Sequence, residues 1–219
     1  MIRVLIADDH RIVREGLKQM LADAPDIAVV AEAQTGPEVL QRAQALGGRA
    51  GLDAVLLDIA LPGRDGLDVL QALRRDWPEL PVLMLSTYPE KQYAVRSIKL
   101  GAAGYLNKSA DPDAMVAALR KAAAGGVFLS PATAEALAVA VARAPAGTRQ
   151  GVAGVESLSH REHQVFRLLS SGHSVSEIGA QLGLAANTVS TYRARILEKT
   201  GSRNDVELAL LAERQGRAG

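Results

Sequence analysis

Acidic residues stand directly after two short apolar runs of the sequence. Asp8 and Asp9 follow the run at 4–7, and Asp58 follows the run at 54–57. If both runs are parallel strands, their carboxyl ends lie at one edge of the sheet, where such sheets bind ligands. Three carboxylates packed together raise one another's pKa values or bind a cation, and their oxygens suit Mg²⁺. The sequence therefore predicts a magnesium site at this edge.

A hydroxyl and an amine stand at the ends of two further apolar runs. Ser86 closes the run at 82–85, and Lys108 follows the run at 104–106. Beside a magnesium ion, these groups would supply a hydrogen-bond donor and a fixed positive charge to an anion held on Asp58. Catalysis of in-line phosphoryl transfer consists mainly of such positioning and charge neutralisation. We therefore predict that phosphoryl transfer takes place at this edge of the sheet.

The residues at 3–125 alternate between two hydrophobic periods. Short apolar runs bounded by turn or charged residues predict strands that are buried on both faces. The segments between them carry apolar residues at helical spacing. This alternation predicts right-handed crossovers, a five-stranded parallel sheet and helices on both of its faces, which is a doubly wound α/β fold. The five predicted strands lie at 4–7, 27–31, 54–57, 82–85 and 104–106.

The chain changes character after Gly125. Residues 130–143 predict a helix, with Ser130 as its N-cap and Pro131 in its first turn. Residues 145–154 are rich in glycine and polar side chains and lack periodicity, which favours a flexible linker. The remaining residues predict helices alone. The predicted divisions are a domain at 1–125, a linker region at 126–154 and an all-helical domain at 155–219.

The overall composition hides a difference in charge between the two halves. The 219 residues hold 25 Lys and Arg against 24 Asp and Glu, a net charge of +1. Residues 1–125 hold 15 basic and 16 acidic residues, net −1, whereas residues 126–219 hold 10 and 8, net +2. Within 187–203 the net charge is +3. A local basic segment of this kind is typical of a nucleic-acid binder.

The sequence also excludes several classes of protein. It contains no cysteine, which excludes disulfides, thiolate nucleophiles and cysteine-ligated metal sites. The apolar run before Asp8 is too short for a signal peptide, and no stretch approaches the roughly 20 apolar residues of a membrane helix. We therefore expect a cytoplasmic protein that does not contact a membrane. A metal site on His160 and His163 is disfavoured because no third ligand lies in register.

The spacing of glycine and apolar residues in the C-terminal part predicts a helix-turn-helix. The motif begins at Val175 and ends at Ala194, with Gly183 making the tight turn between two helices. The second helix of such a motif enters the major groove, where basic side chains neutralise phosphates and small polar ones approach base edges. We predict DNA contacts by Thr188, Ser190, Thr191, Tyr192, Arg193, Ala194, Arg195 and Lys199.

Residues 1–125 resemble the receiver domain of bacterial two-component response regulators, which has a flavodoxin-like fold. The resemblance is carried by the pair Asp8 and Asp9, by D-x-x-x-P-x-x-[DN]-G at 58–66, by Ser86 and by G-A-x-G-[YF]-x-x-K at 101–108. The resemblance implies that Asp58 accepts a phosphoryl group from a sensor histidine kinase, and that the receiver assists both this transfer and the later hydrolysis.

The same resemblance implies a metal site and a role for each of its residues. Asp9, Asp58 and the backbone carbonyl of Ala60 would bind Mg²⁺, and Asp8 would act through water.

Four further residues would respond to phosphorylation. By resemblance, Ser86 would bind the phosphoryl group, Lys108 would pair with it, and Tyr105 would turn inward. Thr87 stands where the family often carries a small residue. We expect its branched side chain to narrow access to Asp58 and to slow hydrolysis of the aspartyl phosphate.

Residues 156–215 resemble the LuxR-type four-helix DNA-binding domain of the NarL/FixJ subfamily. The matching residues are Leu158, Ser159, Arg161, Glu162, Gly172, Glu177, Ile178, Thr188, Val189, Glu198 and Lys199. The sequence departs from the family pattern at His160, where a proline is usual, and at Ala185, where a serine usually caps the second helix of the motif. The resemblance implies a homodimer joined through the last helix at 205–215, double-stranded promoter DNA as ligand, and contact with RNA polymerase.

Some of these residues are also compatible with other functions. A phosphohydrolase with an aspartyl-phosphate intermediate would carry its nucleophile first in a D-x-D pair after the first strand, whereas here the acids are adjacent and the acceptor follows the third strand. A DNA binder with an inert receiver is the second alternative, although every acceptor residue is present. For the helical part, the alternative is a bundle with a solvated basic face. Seven aromatic residues in the chain provide no stacking platform for single strands, so duplex DNA is preferred.

Overall fold

The computed structural model describes residues 1–87, 90–142, 155 and 158–216. The chain folds as two compact units, Met1–Ala144 and Pro145–Gly219. The predicted boundaries after residues 125 and 154 stay predictions, and the linker predicted at 145–154 lies outside the described residues. Within the described ranges, no helix combines the length and the apolar character that a membrane crossing requires.

A five-stranded parallel sheet forms the centre of the first unit and confirms the predicted sheet. Its strands are β1 (Ile2–Ala7), β2 (Ile27–Ala33), β3 (Ala54–Asp58), β4 (Val82–Ser86) and β5 (Gly104–Asn107). The strand order is β2-β1-β3-β4-β5. Leu56 at the centre of the sheet pairs with Ile6 on one side and with Leu83 on the other. Because β1, β3 and β4 are parallel, the residues that follow them lie at one edge of the sheet.

Helices cover both faces of this sheet, as the doubly wound prediction requires. The first five are α1 (Arg11–Ala22), α2 (Gly36–Ala45), α3 (Gly66–Asp76), α4 (Glu90–Lys99) and α5 (Pro112–Ala123). Side chains alternate along a strand, so neighbouring Val4 and Leu5 enter different cores. Leu17 of α1 and Leu119 of α5 pack with Val4, whereas Leu70 of α3 packs with Leu5. The sheet therefore separates two apolar layers.

Aspartate side chains fix the loops that lead into two of these helices. Asp65 accepts a hydrogen bond from the N–H of Leu67 over 2.9 Å at the start of α3. Asp111 accepts one from the N–H of Asp113 over 2.8 Å at the start of α5. Each cap satisfies an N–H group that the first turn of a helix leaves unpaired. The caps therefore hold the loops that follow β3 and β5.

The segment after α5 returns to the sheet before it forms a sixth helix, α6 (Pro131–Ala142). The N–H of Phe128 donates to the carbonyl of Ala103 over 2.7 Å, and Phe128 pairs with Gly104 as a parallel bridge. A Cβ at position 104 would lie 2.8 Å from the Phe128 carbonyl oxygen, so the contact needs a glycine. Helix α6 then packs against α4. The helix predicted near 130–143 thus lies within the first unit.

The described part of the second unit consists of helices around one apolar core, which confirms the all-α prediction. They are α7 (His160–Ser170), α8 (Val175–Leu182), α9 (Ala186–Thr200) and α10 (Asp205–Gly216). Ile178 of α8, Val189 of α9 and Leu208 of α10 are fully buried in this core. Gly183 ends α8 with a φ of 65°, a left-handed conformation that favours glycine. The turn between α8 and α9 is therefore short.

Side-chain caps define the starts of α7 and α8 but not that of α9. Ser159 forms a capping box with Glu162, and Ser174 forms one with Glu177. Ala185 stands at the N-cap of α9 and makes no side-chain hydrogen bond there. An alanine in place of a hydroxyl cap costs about 1 kcal/mol of helix stability. Helix α9 therefore depends on tertiary packing to hold its first turn.

Candidate functional site

The ends of β1 and β3 bring three carboxylates together in one pocket. Asp8 and Asp58 are buried, whereas the side chain of Asp9 is 32% exposed. Ligand atoms of these three residues and of His10 all lie within 4.8 Å of one another. We call these four residues the acidic pocket. The structure thus assembles the acids that the sequence places at one edge of the sheet, and adds an imidazole to them.

Lys108 contacts two carboxylates of the acidic pocket. Its Nζ lies 2.6 Å from Asp8 Oδ2 and 2.9 Å from Asp58 Oδ2. Burial raises the pKa of Asp58, and neighbouring Asp8 raises it further, although the Lys108 ammonium opposes both. Burial disfavours the Lys108 ammonium, but the attraction of Asp58 and Asp8 outweighs it and raises the lysine pKa. Lys108 is therefore a permanent positive charge beside Asp58.

Two buried carboxylate oxygens of the acidic pocket lack hydrogen-bond geometry and fit a hard cation. Asp9 Oδ1 is a buried atom that makes no hydrogen bond within the described part of the chain. Asp8 Oδ2 also lacks hydrogen-bond geometry, with the Lys108 ammonium at ion-pair distance. Buried carboxylate oxygens without hydrogen bonds are costly, and oxygen ligands are the ones that Mg²⁺ takes. The donor set therefore suits Mg²⁺.

Ser86 and Thr87 lie at the end of β4, next to the acidic pocket. Ser86 is buried and stands one residue beyond Leu85, the residue that pairs with Asp58. The Ser86 carbonyl accepts the N–H of Lys108 over 2.8 Å, which ties the end of β4 to the lysine. Thr87 is exposed just outside the strand. This backbone hydrogen bond therefore places Ser86, the predicted phosphoryl-binding residue, beside Lys108.

Tyr105 lies in β5, opposite Met84 of β4, and is fully buried. It belongs to the same apolar cluster as Tyr93 and Ala94 of α4. The ring that the sequence analysis expects to turn inward is thus already inside the core in this structure. Its position links the strand that precedes Lys108 to helix α4.

Arg14 holds the backbone of the acidic pocket and was not among the predicted site residues. Its Nη1 donates to the Asp8 carbonyl over 2.8 Å, and its Nε donates to Glu32 over 3.1 Å. Arg14 is buried on α1, and Glu32 on β2 also accepts a hydrogen bond from Lys18 over 2.7 Å. The sequence signal was a charged residue on the apolar face of α1, close to Leu17.

The outward face of α9 carries most of the predicted DNA contacts. Thr188, Ser190, Thr191, Ala194 and Arg195 are exposed on this helix. A shallow groove on its surface is lined by Asn187, Thr188, Thr191, Tyr192 and Arg195. Asn187 was not predicted as a contact, although its place in the first turn of the second motif helix is a signal for it. Within the described residues, Arg195 forms no ion pair and is available to an anion.

The other two cations of α9 pair with acids of neighbouring helices. Arg193 Nε lies 2.8 Å from Asp205 Oδ1 at the start of α10. Lys199 Nζ lies 2.6 Å from Oε2 of Glu162, a buried carboxylate that also caps α7. Both cations thus fasten α9 to the rest of the second unit, which leaves less of the local positive charge for a ligand. The side chain of His160, weighed above as a metal ligand, lies outside the described part of the chain.

Comparisons with known proteins match both units. Residues 4–120 match the response regulator receiver domain, and residues 156–212 match the bacterial regulatory proteins of the luxR family. The response regulator GacA of Pseudomonas aeruginosa is 39% identical over 216 residues, which cover 99% of this chain and 97% of GacA. UvrY of Escherichia coli K12, also a response regulator, is 35% identical over 99% of this chain and 95% of its own.

A solved structure agrees with these matches. The response regulator ChrA of a heme-sensing two-component system superposes with a TM-score of 0.52 at 33% identity, and the match covers 98% of both chains. Both units and nearly the whole length are thus shared with such regulators. The chain therefore belongs to the two-component response regulators of the NarL/FixJ family, with a receiver domain followed by a LuxR-type helix-turn-helix domain.

Proposed function

We propose that this response regulator is a DNA-binding transcription regulator controlled by phosphorylation of Asp58. A sensor histidine kinase supplies the phosphoryl group, and the second unit binds promoter DNA as a homodimer. One observation carries the proposal: the buried Asp58 carboxylate lies 2.9 Å from the Lys108 ammonium, in a pocket with two further acids. This arrangement holds a nucleophile and a permanent positive charge where a phosphoryl group would be transferred.

The chemistry starts from the Asp58 carboxylate. One of its oxygens attacks the phosphorus of the kinase phosphohistidine, the new O–P bond forms as the P–N bond breaks, and the imidazole nitrogen keeps the electron pair. Lys108 pairs with the transferred phosphoryl oxygens, and the Ser86 hydroxyl donates to them. Asp9, Asp58 and the Ala60 carbonyl would hold Mg²⁺, and Asp8 would act on it through water. When bound, this ion supplies further positive charge to the phosphoryl oxygens.

Phosphorylation of Asp58 affects helices α4 and α6 through contacts in the packed core. Lys108 and Ser86 are joined through their backbones, and Tyr105 lies on the strand that leads to Lys108. Tyr105 packs in one cluster with Tyr93 of α4, and α4 packs against α6. A new charge on Asp58 therefore biases the arrangement of α4 and α6, as in other switches driven by phosphorylation. The exposed Thr87 narrows access to Asp58 and slows hydrolysis, so the switched state persists.

DNA binding uses the outward face of α9. Asn187, Thr188 and Thr191 approach base edges, while Arg195 neutralises a backbone phosphate. The dimer forms through α10, where the apolar side chains of Val206 and Leu210 are 68% and 50% exposed, one helical turn apart. The protein acts in the cytoplasm, where the kinase finds ATP and the second unit finds promoter DNA.

Labelling with a small radiolabelled phosphodonor tests the first half of the proposal. We expect a label on the wild-type chain that is lost in Asp58→Asn and in excess chelator. Asp23→Asn is the matched control, because Asp23 is an exposed acid at the end of α1. We expect this variant to keep the label. Release of many phosphates per chain without a persistent label would favour the phosphohydrolase. Absence of any label would favour the inert receiver.

Selection of duplex DNA from a random pool tests the second half. We expect recovery of a two-fold symmetric site by the wild-type chain, with tighter binding after treatment with the phosphodonor. Asp58→Asn should bind the same site with no response to the phosphodonor. Equal binding of all sequences would contradict a specific operator, and equal affinity before and after phosphorylation would contradict the switch.

A further inference from the structure

We propose that helix α1 of the first unit pairs with α1 of a second copy of this chain, in an antiparallel arrangement centred on Gly16. This surface is separate from α10, through which the proposed function joins two chains, and the proposed function does not depend on it. Three features of α1 support the pairing. Each of them disfavours the single chain, and a second copy satisfies all three.

The first feature is an exposed apolar side chain. Ile12 in the first turn of α1 is 87% exposed. Residues three or four positions apart share one face of a helix, and Gly16, Gln19 and Asp23 continue the face of Ile12 at this spacing. All of them are exposed. The face therefore runs the whole length of α1 and is open to a partner helix.

A groove beside this face fits the side chain of Ile12. It has a volume of about 480 Å³ between α1 and α5. Four of its lining residues, spaced as i, i+3, i+4 and i+7, belong to α1 or follow it directly: Gly16, Gln19, Met20 and Asp23. In paired helices a side chain of one helix fits between four residues of this spacing on the other. Met20 and Val116 of α5 line the groove and pack against the apolar layer, so its floor is apolar.

The register that brings Ile12 into this groove places Gly16 at the centre of the pair. An α-helix rises 1.5 Å per residue, so Ile12 lies about 6 Å before Gly16 and Met20 about 6 Å after it. A two-fold axis beside Gly16 therefore brings Ile12 of each copy to the level of Met20 of the other. Such an interface uses the same surface of both copies.

The second feature is Gly16 itself. A glycine inside a helix is less stable than an alanine, and the backbone of Gly16 is helical. A Cβ at this position would meet nothing within 4 Å, so packing within the described residues does not require the glycine. At the centre of an antiparallel pair, the missing side chain allows the two helices to approach closely.

The third feature is the charge at the two ends of α1. Arg11 is its first residue and Asp23 follows its last, whereas a single helix favours an acid at its beginning and a base at its end. Within the described residues, neither forms an ion pair, and Arg120 in the groove is already paired with Asp26 over 2.7 Å. In the antiparallel pair, each Arg11 lies beside the last turn of the other helix, within reach of Asp23 of that copy.

These positions favour a second copy over a helix of another protein. The apolar side chain, the groove that fits it and the two opposite charges all lie on or beside one helix. Their levels along that helix are related through Gly16. A surface that is complementary to itself in this way is the property of a two-fold interface.

Disulfide cross-linking of the full chain tests the arrangement, and the sequence contains no cysteine that would interfere. Gly16→Cys should form an intermolecular disulfide, because the two thiols meet at the centre of the pair and a Cβ has room there. Gln41→Cys, exposed on α2, is the matched control and should cross-link little. Adding Ile12→Ser to the Gly16→Cys chain should reduce the cross-linked fraction about tenfold or more, since two apolar contacts are lost per pair.

Charge reversal tests the register. In the Gly16→Cys chain, Arg11→Asp alone and Asp23→Arg alone should each reduce cross-linking about fivefold, because like charges then meet at both ends of the pair. An equimolar mixture of the two chains should restore it, since each chain meets opposite charges on the other. Both reversals agree with the charge preference of helix ends, so neither should lower the urea midpoint of the first unit.

Equal cross-linking of Gly16→Cys and Gln41→Cys would overturn the inference. A mixture of the two reversed chains that cross-links no better than either chain alone would overturn it as well. Either result would leave this face of α1 to another protein, such as a helix of the kinase. The proposed function is tested separately, because labelling of Asp58 with a small phosphodonor requires no second copy.

Discussion

Gly66 packs so closely on Asp58 that a Cβ at position 66 would lie 2.1 Å from the Asp58 carbonyl oxygen. The Gly66 N–H also donates to the Ile59 carbonyl over 2.9 Å, which closes the loop that follows β3. Since the obstructing atom belongs to the backbone, a side chain here displaces Asp58, the residue that we propose as the phosphoacceptor. The glycine of the D-x-x-x-P-x-x-[DN]-G pattern is therefore a requirement of packing as well as of loop shape.

Gly66→Ala should destabilise the first unit and slow labelling of Asp58. The added carbon forces the loop away from the end of β3, at a cost of about 2 kcal/mol or more. Urea unfolding followed by the fluorescence of Trp77, the one tryptophan of the chain, measures the stability of this unit. Gly16→Ala on α1 is the matched control, because a Cβ there meets nothing within 4 Å. It should stabilise the same unit by about 0.5–1 kcal/mol. Unchanged stability of Gly66→Ala would contradict the close contact.

Asp58→Asn should raise the stability of the first unit at neutral pH when no divalent cation is present. Burial raises the pKa of Asp58 in the folded chain, so the ionised carboxylate disfavours the folded state above that pKa. Adding Mg²⁺ should stabilise the wild-type chain by about 2.7 kcal/mol at a hundredfold excess over the dissociation constant, and the variant by less. The urea midpoint of Trp77 fluorescence measures both effects. A lower midpoint for the variant without Mg²⁺ would contradict this account.

Arg195→Ala and Arg193→Ala should have different effects. Arg195 has no acid partner within the described residues, so its loss should weaken binding to the selected duplex and reduce the slope of log affinity against log salt by about 1. Arg193 is paired with Asp205, so its loss should leave this slope unchanged and cost about 0.2–1 kcal/mol of stability. Fluorescence anisotropy across salt concentrations measures the slope, and amide hydrogen exchange in α9 and α10 measures the stability. Equal reductions of the slope would place both arginines on DNA.

Asp53→Asn should reduce the loss of stability of the first unit in acid. The hydrogen bond from Arg3 holds the pKa of Asp53 below its ordinary value, against the effect of burial. An acid whose pKa is lowered by folding adds stability above its unfolded pKa and loses it as the pH falls through the folded value. The variant should therefore show a smaller drop in the urea midpoint between about pH 5 and pH 3. Asp23→Asn should keep the full drop, and a variant curve parallel to the wild type would contradict the prediction.

The sequence was sufficient to predict the sheet and the assembly of the acidic pocket. Asp8 and Asp58 converge because each follows a continuous apolar run, and a parallel sheet that is covered by helices buries such runs on both faces. The end of β3 was predicted within one residue, since Asp58 itself is the last residue of the strand. Such positions depend on local hydrophobic pattern and on topology, which the sequence expresses directly.

Residues whose role depends on a distant partner could not be predicted in the same way. Arg14 is buried because Glu32 and the Asp8 carbonyl accept its hydrogen bonds, and Glu32 lies 18 residues away in sequence. The sequence predicts Arg193 and Lys199 as DNA contacts, and it does not indicate their acid partners, which come from α10 and α7. A count of charges along α9 contains no information about which of them are already paired.

The bridge between Phe128 and Gly104 has a consequence for association of the protein with itself. β5 is the last strand of the sheet, so its outer side would offer unpaired backbone groups to any extended chain. The Phe128 N–H donates to the Ala103 carbonyl at this edge. The side chain of Phe128 packs against the apolar layer that contains Val4 and Leu119. A receiver shortened after Gly125 would lose this cover and expose a strand edge to aggregation. The stretch that leads out of the receiver thus also covers the beginning of this strand edge, at Gly104.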